Sequence, residues 1–134
     1  MELHRLALTG AGVVGCTVAV IHGVLIERLM VRPLIRLTAD DRRLSATISR
    51  LISPLLHYST FSWLLGGLAL IAAAVWLGPQ ARLATSLLVG ASYLYGVVGN
   101  FQATRGRHPG WMLLAVALVL IGFSVSNLTL QELS

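Results

Sequence analysis

Residues 6–28 read LALTGAGVVGCTVAVIHGVLIER, and this stretch decides the class of the protein. An apolar run of about twenty residues is the length an α-helix needs to cross a hydrocarbon core of about 30 Å. Here the run ends in three ionisable side chains, His22, Glu27 and Arg28. An ionisable group inside a membrane-spanning segment is costly to keep, which makes His22 a functional candidate by default.

Outward from this stretch, the same pattern recurs. Further apolar blocks follow at residues 51–77, 83–101 and 111–130. With their flanks they predict helices over about 6–30, 41–77, 82–103 and 109–130. Of the 134 residues, 56% are hydrophobic and 11% charged, against about 25% charged in an ordinary soluble domain. The expected fold is therefore all-α, an antiparallel up-down bundle of four transmembrane helices forming a single domain. No soluble catalytic domain fits beside them. The start of the chain superficially resembles a signal peptide, and Val13-Val14-Gly15-Cys16 resembles the box before a lipidated cysteine. Both readings fail on the apolar residues 17–26, where mature sequence should turn polar.

Connections carry the remaining signals. Pro33 is expected to stop the first helix, and Thr38 with Asp41 resembles a capping box before the second. Gly78-Pro79-Gln80 and the turn at Arg105 to Gly110 predict tight antiparallel joints. The net charge of +5 is carried by ten arginines and no lysine. Because these sit beside apolar segments without an interleaved aromatic face, the anionic partner expected is membrane lipid, not nucleic acid. Arg28, Arg32, Arg36, Arg42, Arg43, Arg50, Arg105 and Arg107 fall on one side of the predicted bundle, and Arg5 and Arg82 on the other. By the positive-inside rule the first side is cytoplasmic, so both termini are expected in the periplasm of a bacterial inner membrane. The loop arginines, Arg32, Arg36, Arg42, Arg43 and Arg50, are then placed to meet anionic lipid. Trp76 and Trp111 fall where interfacial anchors belong.

Candidate site residues follow from depth. Ala11, Gly15, Ala19 and Gly23 form a small-residue ridge that permits close helix approach. His22 lies about 20° around the helix from Gly15, so it is expected to face protein. His22, His57 and Asn100 each lie within about 10 Å of a cytoplasmic-side arginine along their helices. One layer could hold all three, with Glu27, Tyr58 and His108 at its rim. Haem or metal at His22 and His57 is disfavoured. Glu27 is about 140° from His22 on the same helix, and the ridge argues against helices spread by a macrocycle. Glu27 is expected as a salt-bridge partner for the neighbouring arginines.

The segments IHGVLIERLM (21–30), RLISPLLHYSTFSW (50–63) and GRHPGW (106–111) resemble a family of small bacterial four-helix integral membrane proteins with no assigned activity. The resemblance implies that His22, Glu27, Arg28 and His57 recur together, and it brings no reaction. Two functions stay open at this point. One is non-enzymatic binding of a lipid-soluble ligand or partner protein, with a homo-oligomer possible and no cofactor. The other is a His-centred cofactor, metal or proton-transfer site near the cytoplasmic face.

Overall fold

The computed structural model describes residues 2–39, 46–107 and 109–132. Every regular element is helical: α1 (Glu2–Ile26), a π-helical turn (Glu27–Val31), α2 (Arg32–Ala39), α3 (Ala46–Trp76), α4 (Pro79–Thr104) and α5 (Gly110–Glu132). Four helices are long and apolar enough to cross a membrane, as in a multi-pass membrane protein. Arg42, Arg43 and His108 lie outside the described residues.

Pro33 does not end the first helix. The chain stays helical from Leu3 to Thr38, 36 residues, which is about 54 Å at 1.5 Å per residue. The reason lies in the π turn just ahead of the proline. Arg32 N–H bonds to Glu27 O, five residues back, so the carbonyls preceding Pro33 leave α-helical register and the ring behaves as a first-turn proline. This run exceeds a hydrocarbon core by more than 20 Å or so. Its far end, with Arg28, Arg32 and Arg36 exposed beside exposed Leu29, Leu34 and Leu37, therefore has interfacial composition.

The joints between α3, α4 and α5 follow the local chemistry. Gly78 takes an extended conformation as N-cap, and Pro79 supplies the first turn of α4, where its missing N–H costs nothing. At the other end Arg105 (φ 51°) and Gly106 (φ 74°) enter the left-handed region. Gly106 N–H then closes on Phe101 O at 2.9 Å, satisfying a terminal carbonyl.

Helix α1 packs against α3 and α5, and α4 packs against the same two. One core joins Leu8, Ala11 and Ala19 of α1, Trp63 and Leu70 of α3, Tyr93 of α4 and Leu114 and Ala117 of α5. Within it, small residues set the distances. A Cβ at Gly12 would lie 2.6 Å from Gly67 O, and one at Gly67 would lie 2.7 Å from Gly12 O. Backbones touch there, and only glycine fits. Gly15 makes room for the Tyr93 hydroxyl, which donates to Trp63 O at 3.1 Å. Tyr93 is fully buried, so this bond satisfies a polar group that lipid or core could not.

Candidate functional site

Helices α3 and α4 do not close on one another as α1 and α3 do. Between them lies a cavity of about 290 Å³ lined by His22 and Ile26 of α1, Tyr58, Ser59, Ser62 and Trp63 of α3, and Ser92, Tyr95, Gly96, Gly99, Asn100 and Ala103 of α4. A second cavity of about 240 Å³ is lined by Ser62, Leu65, Gly66, Ala69, Leu88, Val89 and Ser92. Ser62 and Ser92 line both. The two adjoin at these serines along the α3–α4 seam, a groove with polar lining at the end near Asn100 and apolar lining beyond the serines.

Hydrogen bonding separates the polar lining into paired and unpaired groups. His22 Nε2 meets Ser59 Oγ at 3.1 Å, and Ser59 also reaches Leu56 O. The His22 ring lies 4.6 Å from the Trp63 ring, tilted by 53°. One amide N–H of Asn100 bonds to Gly96 O at 2.8 Å, which leaves its carbonyl and second N–H for the cavity it lines. Ser62 and Ser92 have no hydrogen-bond partner among the described residues. That is unlike Thr17, Thr85 and Thr104, whose hydroxyls donate to the carbonyl four residues back on their own helices. The Trp63 indole N–H is likewise unpaired among the described residues, on a side chain only 5% exposed.

Glu27 and His57 belong to a different arrangement. Glu27 accepts from Arg32 Nε through Oε1 at 3.1 Å, and its Oε2 lies 3.1 Å from His57 Nε2. In a regular α-helix Arg32 would stand about 140° around from Glu27. The π turn narrows that angle, so one carboxylate bridges α2 and α3. The expected candidates thus divide. His22, Asn100 and Tyr58 line the groove, while His57 and Glu27 bond to each other beside Arg32. Among the described residues, no three His, Cys, Asp or Glu side chains group as a metal ion requires.

The largest polar cluster missing from the sequence reading lies at the opposite end. Arg82 is 4% exposed. Its Nη1 lies 2.8 Å from His4 Nε2, while Nε and Nη2 donate to Ala73 O and Leu77 O at 3.2 and 2.8 Å. Ser124 Oγ donates to His4 O at 3.0 Å, tying in α5. A cation on the last carbonyls of α3 satisfies orphan acceptors and complements the negative end of that helix. Its sequence signal is an arginine three residues past Pro79, which the sequence reading counts only as one of two arginines on that side of the bundle.

No protein-family model, curated protein or solved structure matches the chain.

Proposed function

We propose that this is a four-pass protein of the bacterial inner membrane, an antiparallel up-down bundle with periplasmic termini, that binds a lipid-soluble amphiphile in the α3–α4 groove without catalysing a reaction. The observation that carries this is the unpaired polar lining. Ser62, Ser92 and Trp63 keep donors unsatisfied at membrane depth, where an orphaned polar group costs several kcal/mol or so. A ligand with a polar head and an apolar tail satisfies the donors and fills the apolar extension. Arg28, Arg32, Arg36 and Arg50 add attraction to anionic lipid at the cytoplasmic surface.

Native mass spectrometry of the detergent-purified protein tests the binding. A co-purifying lipid is expected, and it is expected to be lost on Gly99→Leu, because a side chain there would meet no protein atom within 4 Å and would project into the groove. An identical lipid load in both proteins would refute the site. Reporter fusions at the C-terminus test the orientation, and a reporter active in the cytoplasm would reverse it.

A second reading, proton transfer at the cytoplasmic face, is favoured by the Glu27–His57 contact, in which a carboxylate oxygen lies 3.1 Å from an imidazole nitrogen. Protonation kinetics of reconstituted vesicles that change on His57→Ala but not on His22→Ala would support it.

A further inference from the structure

Resting on the amphiphile reading above, the geometry points to a lipid quinone as the occupant, with its carbonyl-bearing ring among Trp63, Ser62, Ser92 and Asn100 and its tail along Leu65 and Val89.

Charge narrows the class first. No Asp, Glu, Lys or Arg lines either cavity. A phosphate, carboxylate or ammonium head would be desolvated there with no counter-ion, at a cost the contacts of a small groove do not offset. The head group is neutral. A neutral head also settles below the phosphate plane, which suits a polar end placed at Asn100, five residues inside Arg105. At about 1.5 Å per residue that is roughly 7 Å of depth.

Donor balance narrows it further. The Trp63 indole N–H can only donate, as can the second N–H of Asn100, while the two serines can donate or accept. Asn100 Oδ1 can only accept, and the Tyr58 and Tyr95 hydroxyls, which line the same groove, can donate or accept. Such a lining is complementary to a head rich in acceptors. A dione carries two carbonyl oxygens and no donor, whereas a glyceride or isoprenoid alcohol brings a hydroxyl that duplicates what the walls already offer. The indole edge that carries the N–H borders the groove at Gly96, where a Cβ would strike Cζ2 and Cε2 at 2.7 and 3.0 Å. Gly96 is covered by this indole and by Leu114, so Gly99, with nothing within 4 Å, is the part of the α4 wall left bare, and a bare wall beside an aromatic edge accommodates a planar ring.

Quenching of Trp63 fluorescence in detergent, in a Trp76→Phe, Trp111→Phe background, tests the assignment. Decylubiquinone is expected to quench saturably, and Gly99→Leu to weaken its apparent Kd by about tenfold or more. Decylubiquinol, which turns the carbonyls into donors, is expected to bind more weakly. Oleate, dioleoylglycerol and lysophosphatidylglycerol are expected not to displace the quinone. Binding of dioleoylglycerol or oleate in the groove without decylubiquinone, or binding of the quinol as tightly as the quinone, overturns the quinone assignment and leaves the amphiphile reading standing. Quenching by decylubiquinone that is unchanged by Gly99→Leu, and displaced by none of these lipids, overturns both.

Discussion

Helix α3 makes two seams of opposite character. Toward α1 it is closed: the Gly12 and Gly67 backbones touch, Cys16 Sγ sits 3.8 Å from Leu64 O, and Gly23 receives Thr60. Toward α4 it is open over two cavities, where Ser62, Ser92 and the Trp63 indole N–H are unpaired among the described residues. Both seams carry glycines, so glycine content alone does not set packing. What differs is what each glycine faces. Gly12 and Gly67 face each other, whereas Gly99 faces nothing within 4 Å. In a membrane, where no hydrophobic effect draws helices together, the first arrangement gives dispersion contact and the second leaves space.

The largest effect expected tests the closed seam. Gly67→Leu places a side chain against Gly12 O, Cys16 Sγ and Cys16 N, all within 2.9 Å of the new Cβ. Backbone cannot yield as a side-chain tip can, so loss of the monodisperse folded species in size-exclusion chromatography is expected. A folded Gly67→Leu protein would break the contrast between the seams. Next comes the knot that pins the far ends of α1, α3 and α5. Arg82→Leu removes the side-chain donor to Leu77 O, one of the two donors on Ala73 O and the guanidinium beside His4 Nε2, all at a buried site. A loss of about 3 kcal/mol in denaturant-induced unfolding is expected. The open seam predicts the opposite sign. Gly99→Ala removes a helix-interior glycine without a steric partner, so a gain of up to about 1 kcal/mol is expected, together with weaker ligand retention. A loss of stability there would mean that the seam closes.

These contrasts also mark what the sequence could carry. Four apolar blocks and two Gly/Pro turns made the helices readable, because span length and cap chemistry are local. The closed seam was half readable. The ridge Ala11, Gly15, Ala19 and Gly23 identified the small face of α1, but the contact with the α3 backbone falls one residue along, at Gly12. Helical spacing fixes a face to within about one residue and cannot say which partner approaches. Asn100 and His22 were readable as inward polar groups at one depth. That Ser62, Ser92 and Trp63 stand unpaired beside them was not, since back-bonding and free serines look alike in sequence. Pro33 misled because a π turn has no reliable sequence signature. His4 and Arg82 are 78 residues apart, and nothing in either segment announces that they meet.

The smallest effect expected concerns the two histidines. Sequence depth placed them in one layer, where breaking one would strand the other. Among the described residues their hydrogen bonds go to different partners: His22 holds Ser59 on the groove, and His57 holds Glu27 beside Arg32. Thermodynamic coupling requires a common partner, a shared cavity or a backbone shift felt by both. Ser59 stands two residues beyond His57, which puts the two side chains about 160° apart around α3. His57 does not line the groove. His22→Ala and His57→Ala are therefore expected to add in the double mutant within about 0.5 kcal/mol. The same cycle on ligand retention is expected to show an effect of His22 alone. Salt gives the complementary readout, since the exposed Arg32–Glu27 pair is screened while the His22–Ser59 bond is not. Raising ionic strength is expected to shrink the stability effect of Arg32→Ala and leave that of His22→Ala. A double mutant well away from additivity would mean that the open seam and the Glu27 bridge act as one unit, and that the two sides of α3 are coupled.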